Sequence, residues 1–229
     1  MSTKESKSLL FNSISWRASL LGEEVALLEC GKGTPIEKIH ESTYLVEQAI
    51  GGDLIDLVPA YHSIAVFSKL DMREIIKRLD GLKGSAKQIR DNDDVIELPI
   101  CYEEGLDLSR VAEQSGMNED QVIERHLEGT YRSLFIGFTP GFIYADGLHE
   151  SLACPRLEQP RTRIPSGSVG IAGEQTGIYS LASPGGWNII GRTPTKIFDP
   201  TKDQPMLIDV GTRYRFYRIT KKAFESWED

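Results

Sequence analysis

The sequence predicts a two-part protein: a small two-layer α/β domain, ferredoxin-like in plan, followed by an all-β module of the barrel or sandwich type. Three observations lead there. Two segments near the N-terminus carry helix-start signals and sit between runs of strand-forming residues. The order of these elements is strand, helix, strand, strand, helix, strand, which is the split βαβ plan. After Cys101 the texture changes to short strands broken by glycine and proline.

The first strand is "EVALLEC", Glu24 to Cys30. Thr34, Pro35, Ile36 and Glu37 then read as a capping box with proline at the first helical position. Ile36, Ile39, Thr43, Val46 and Ile50 follow at steps of three and four, so one helix face is expected to be buried, and Gly51 stops the helix. "LIDLVP" (Leu54 to Pro59) and "SIAVFS" (Ser63 to Ser68) are the next strands, Asp71 to Glu74 starts a second helix, and "VIELPIC" (Val95 to Cys101) is the last strand, shared with the β module. The polar stretch Lys83 to Asp94 is the expected seam, which gives domains over residues 1–92 and 93–229. Beyond it, Leu108 to His126 holds two short helices, with Gly116 at the turn and Asn118 capping the second through Gln121. "SVGIAG", "TGIYSLA", "WNIIGR", "TKIFD", "PMLIDV" and "YRFYRIT" are the expected strands of the β module.

Composition narrows the function. With 229 residues, 40% of them hydrophobic, the chain can bury a sizeable core. A formal charge of -8 argues against nucleic-acid binding, which depends on neutralising phosphates. Ala112, Gly116 and Val122 have helix-turn-helix spacing, but the second helix sets Glu119, Asp120 and Glu124 against the single Arg125. Cys30, Cys101 and Cys154 are too scattered for a disulfide framework or a zinc site, and His40, His62, His126 and His149 show no ligand spacing, so no metal is expected. The N-terminus has no apolar run ending in a small-residue cleavage site, and no stretch is apolar enough to span a bilayer. A cytoplasmic protein with no membrane contact is expected.

"GWNIIGRT", Gly186 to Thr193, has the glycine spacing of a phosphate-binding loop, but Arg192 stands where that loop needs lysine. Such a loop must run from a strand into a helix, whereas Pro194 biases Thr193 away from helix and the apolar residues alternate as in a strand. Arg192 remains a candidate bidentate anion donor. Glycine and proline are dense from Gly137 to Gly147 and from Pro160 to Trp187, interleaved with Arg161, Arg163, Gln175, Tyr179 and Trp187. Two readings stand level: a ligand cleft whose glycines admit a substrate to the backbone, or the tight turns of a small barrel.

The motifs "GFTPGF", "PRTRIPSGSVGIAG", "QTGIY", "SPGGWNIIGRTP" and "FDP", with "LPICY", "VIERH" and "VPAYHSIAV" upstream, closely resemble the KipI family. That family, also called allophanate hydrolase subunit 1, includes the B-type subunits of bacterial 5-oxoprolinase. The resemblance implies an N-terminal α/β domain and a C-terminal cyclophilin-like β-barrel of the carboxyltransferase subdomain B type. It also implies two partners, a KipA-like C-type subunit of the same barrel class and a LamB/YcsF-like A-type subunit. Together they would open 5-oxo-L-proline to L-glutamate at the expense of ATP, with Mg2+ bound by the whole complex and no biotin on this chain. The chain departs from the family's usual pattern at Glu103 and Glu104, where Gly-Gly is common, at Ile143 to Asp146, and at Glu174.

On that reading Arg163 and Arg192 hold an anion, Gln175 and Tyr179 orient the substrate ring, and His126 transfers a proton. Arg161, Ser183, Gly185, Trp187 and Phe142 complete the expected substrate-binding set. Two rivals come with the family: an inhibitor of a sensor histidine kinase, and a carboxyltransferase or amide-handling component that works on urea derivatives.

Overall fold

A computed structural model describes residues 6–22, 25–84 and 95–228. The chain divides into two compact units, residues 1–90 and 91–229. The expected boundary between residues 92 and 93, with most of the expected seam, lies outside the described residues.

The first unit runs β1 (Lys7–Phe11), β2 (Ile14–Leu21), β3 (Val25–Glu29), α1 (Ile36–Ile50), β4 (Leu54–Ala60), β5 (Ser63–Ser68) and α2 (Met72–Leu79). Its sheet is antiparallel throughout, in the order β1-β2-β3-β5-β4. β3, β5 and β4 therefore hold the split βαβ arrangement, but the fourth strand of that plan is replaced by β2, the inner arm of a hairpin absent from the expected element list. Asn12 and Ser13 turn this hairpin at φ 51° and 62°, the left-handed pair that matches strand twist in a two-residue turn. Leu9, Phe11, Trp16 and Ala18 alternate inward from it. Helix α1 buries Ile39, Val46 and Ile50 against the sheet, each contributing about 1.5–3 kcal/mol relative to an exposed side chain. Its expected Thr34 capping box does not form: Pro35 is the N-cap residue, and the Thr34 hydroxyl donates to Gly31 O at 2.9 Å. Asp71 does cap α2, accepting from Glu74 N at 2.9 Å.

The second unit contains β6 (Ile96–Ile100), α3 (Leu108–Ser115), α4 (Glu119–Leu127), β7 (Tyr131–Ile136), β8 (Ile143–Asp146), β9 (Arg161–Ile164), β10 (Ser168–Ala172), β11 (Gln175–Ile178), β12 (Ser183–Gly185), β13 (Asn188–Arg192), β14 (Arg213–Arg218) and α5 (Lys221–Glu225). Seven strands form one sheet in the order β13-β10-β11-β8-β7-β14-β6, and β9 pairs with β12 as a separate ribbon. β6 lies parallel to β14, so the strand expected to finish the first domain belongs to this sheet. "TKIFD" and "PMLIDV" do not make strands; one bridge, Phe198 to Met206, joins them across the proline-flanked loop.

The sheet nearly closes on itself. Its edge strands β13 and β6 meet where Cys101 and Arg192 exchange two backbone hydrogen bonds, 2.8 and 2.9 Å long. The strands carry apolar groups on both faces, as period-two alternation shows. Ile143, Val169, Ile171, Ile178 and Ile190 face the main core with α3 and α4, while Phe142, Tyr179, Trp187 and Ile189 form a second cluster with Ile164 of the ribbon. The acidic helix pair is real, with a complete Asn118–Gln121 capping box and Gly116 in the left-handed conformation, and it packs Val111, Ala112, Val122 and Ile123 into the main core.

Candidate functional site

The expected site residues do not converge on one place. Phe142, Tyr179 and Trp187 are between 1% and 5% exposed and meet edge-on, with ring centroids 4.8 Å (Phe142–Tyr179) and 5.4 Å (Phe142–Trp187) apart. The glycines around them make room for the rings. A Cβ on Gly177 would lie 2.5 Å from Ile143 O and 3.1 Å from both Phe142 and Trp187, and one on Gly185 would run into the Tyr179 hydroxyl. Burial pushes the Tyr179 phenol up to about 12, partly offset by the Trp187 backbone N–H. Ser183 is buried in the β9–β12 ribbon beside this cluster. These residues pack against one another, so the turn-and-packing reading accounts for this stretch better than a cleft wall does.

Arg161 is committed elsewhere. Its two terminal nitrogens donate to the Asp107 carboxylate at 2.9 and 2.6 Å, and that carboxylate, 6% exposed, also accepts from Ile189 N at 2.7 Å. The bidentate pair pins the start of α3 to β9 and β13. Gln175 is half-buried at the first position of β11. Arg163 is exposed on β9, with no hydrogen bond or ion pair among the described residues.

His126 lies in the main core rather than in a cleft. It is fully buried, stacks on Phe216 at 5.0 Å, and its Nδ1 is 2.7 Å from the Tyr102 hydroxyl. Desolvation lowers its pKa to about 3. The ring is therefore neutral at physiological pH, which fits neither a proton shuttle nor a cation stabilising a helix end.

Arg192 is the expected residue that lines an opening. β13 runs from Asn188, whose buried amide is satisfied by Arg110 and by the Pro155 and Ile171 carbonyls, to Arg192 at the barrel seam. The segment resembling a phosphate loop is thus a strand, and its last side chain projects into a pocket of about 320 Å3. Arg192 Nε donates to Ser166 O at 3.1 Å and Nη1 to Glu104 at 3.3 Å, while the guanidinium lies 5.0 Å over Phe224. These contacts fix the plane of the group and leave Nη2 without a hydrogen bond among the described residues. Ser166, Ser180, Thr193, Thr195 and Lys196 supply the polar lining, and Phe224 and Trp227 from α5 and the residues after it supply an aromatic wall.

Most of these liners were not legible as a site, because they come from three separate loops and a short terminal helix with the residues after it, with no shared spacing. The unusual glutamates have partners here. Glu104 pairs with Arg192 and, at 3.1 Å, with Lys221, and Glu103 lies 3.7 Å from Arg218. Among the described residues no three His, Cys, Asp or Glu side chains come together as a metal site would require, and no helix is long and apolar enough to cross a membrane.

Residues 16–208 match the family described as carboxyltransferase domain, subdomain C and D. The chain is 33% identical to the B subunit of 5-oxoprolinase from Bacillus subtilis (strain 168), over 95% of this chain and 98% of that one. It is 35% identical to the B subunit of 5-oxoprolinase from Escherichia coli O157:H7, over 87% and 94%. Among solved structures, TTHA0988 superposes with a TM-score of 0.74 at 32% identity, over 85% of this chain but 40% of that longer one. A barrel closed by the β13–β6 seam, with these matches, makes the protein a member of the carboxyltransferase subdomain C and D family. Within that class the chain belongs with the B subunits of 5-oxoprolinase.

Proposed function

We propose that the chain works as the B subunit of an ATP-dependent 5-oxoprolinase, opening 5-oxo-L-proline to L-glutamate in the cytoplasm together with A-type and C-type subunits, and that it is inactive without them. The observation that carries this reading is the 33% identity over nearly the whole length of a 5-oxoprolinase B subunit. The Arg192 pocket supports it chemically. The substrate carries one carboxylate and a five-membered lactam ring, and the pocket pairs a pre-positioned guanidinium with hydroxyls and an aromatic wall. ATP would transfer its γ-phosphoryl group to the lactam oxygen with release of ADP; water would add to the activated carbon, the ring nitrogen would leave as a protonated amine, and a second water would hydrolyse the resulting γ-glutamyl phosphate to L-glutamate and phosphate. Arg192, whose Nη2 is unused among the described residues, is the donor that would stabilise charge developing on oxygen.

The pocket's two cations already carry carboxylate partners, Glu104 and Asp199, and the stretch nearest to a phosphate loop is strand β13. Binding of ATP and its Mg2+ is therefore assigned to the complex as a whole, with no biotin on this chain. The same reading classes the second unit as a cyclophilin-like barrel and the first as a ferredoxin-like variant with β2 in place of the fourth strand. It also keeps Arg163, exposed on the ribbon, as an anion contact, and leaves the proton-transfer role to a group other than buried His126. No observation favours the kinase-inhibitor or urea-derivative readings.

The test is co-expression with the A-type and C-type subunits, followed by measurement of glutamate released from 5-oxoproline. Release that requires ATP and all three chains is the expected result; an assembled complex that releases none would sink the assignment.

A further inference from the structure

Phe138 sits in a backbone conformation that its side chain disfavours. Its φ is +70°, in the left-handed region that bulky residues rarely occupy unless the surroundings enforce it. Here the enforcement is visible. The loop closes on itself through Gly137 N to Phe142 O and Phe142 N to Thr139 O, both 3.1 Å. Gly141 at φ +75° is packed against Phe198, where a side chain has no room.

The strain secures little burial. The Phe138 ring is 63% exposed and meets Phe142 edge-on at 5.6 Å. The Ser180 hydroxyl donates to Pro140 O at 2.5 Å, which ties this loop to its neighbour, where Leu181 is 39% exposed. Ser180 also lines the Arg192 pocket. Phe138 and Leu181 thus stand exposed on two loops that Ser180, a liner of the candidate site, ties together.

We propose that Phe138, with Leu181 beside it, is the anchor by which another protein chain of the same complex docks and covers the rim of the Arg192 pocket. This rests on the proposed oxoprolinase function. Three observations choose another protein chain as the occupant. The relatives matched over nearly full length are named as subunits. The TTHA0988 chain continues well beyond the 40% that this chain covers, so a homologous unit exists joined to further polypeptide. The formal charge of -8 disfavours an anionic lipid surface. A preformed aromatic that inserts into an apolar pocket is the usual form of an interface hot spot, because little conformational freedom is lost on binding.

The test uses the co-expressed three-subunit complex with Phe138→Gly, Phe138→Asn and Leu181→Ser, and Tyr217→Ala as a control at an exposed aromatic on β14. Glycine and asparagine both accept positive φ, so the first two variants should melt within about 4 °C of wild type. Co-elution should be lost, or the affinity between the subunits weakened at least about tenfold, and glutamate release should recover when the partner chains are raised in concentration. The control should assemble normally.

Unchanged affinity in both folded Phe138 variants overturns the proposal, as does melting of both far below wild type, which would make the residue structural. Self-association of the isolated chain through Phe138 would make the occupant a second copy and also overturn it. A wild-type complex that assembles through Phe138 but releases no glutamate would sink the oxoprolinase reading and leave the docking surface standing.

Discussion

The aromatic cluster beneath the β9–β12 ribbon and the Arg192 pocket come from overlapping stretches of sequence, yet one is packed shut and the other is open. Trp187 and Arg192 stand near opposite ends of β13. At the Trp187 end, Gly170 and Gly177 omit side chains that would crowd Trp187. At the Arg192 end, the guanidinium is held by a carbonyl, a carboxylate and a ring, with one nitrogen left over. Glycine beside aromatics thus reports close packing, whereas binding capacity comes from a charged side chain whose geometry is fixed but whose donors are not all used.

The comparison breaks most readily at Trp187. Trp187→Ala should cost about 3–5 kcal/mol in urea unfolding, since the ring is 5% exposed and supports the whole cluster. A loss of activity at full stability would instead mean that the cluster meets substrate.

A pH-dependent effect is expected from the buried imidazole. Because the pKa of His126 is lowered from 6.5 to about 3, its contribution to stability is complete above about pH 6.5 and is lost as pH falls toward 3. The slope is up to about 1.4 kcal/mol per pH unit. Urea midpoints taken across that window should flatten in His126→Gln; an unchanged acid limb would place the ring in contact with solvent.

The smallest stability effect, within about 1 kcal/mol, is expected for Arg192→Lys, whose ion pair with Glu104 is partly exposed. Yet this change should raise KM for 5-oxoproline roughly tenfold or more in the complex, because lysine cannot reproduce the planar fork. Full activity would remove Arg192 from the site and return the phosphate-loop resemblance to consideration.

Local features were the legible ones. Gly116, the Asn118–Gln121 box and the Asp71 cap are set by contacts three or four residues apart, and the alternation in "WNIIGR" identified β13 before any partner strand was known. Features set by distant residues were not. The Arg161–Asp107 pair spans 54 positions, and the hydroxyls and aromatics of the pocket converge only after the barrel has closed. The β1–β2 hairpin escaped notice because its turn uses Asn12 and Ser13 in place of a glycine. "TKIFD" and "PMLIDV" have strand composition, yet the single Phe198–Met206 bridge is the pairing they make. His126 carried no local mark of burial; Tyr102, Tyr131 and Phe216, which enclose it, come from three separate parts of the chain.

Arg192 has two tasks that are chemically separate but mechanically joined. Its amide and carbonyl hold the last gap of the barrel to Cys101, while its side chain lines the pocket. Local opening of the Cys101–Arg192 pair, without unfolding of the rest, would carry the guanidinium away from what it holds. Anything that grips the side chain therefore also clamps the barrel. Amide exchange at Cys101 and Arg192 should therefore slow when the pocket is occupied.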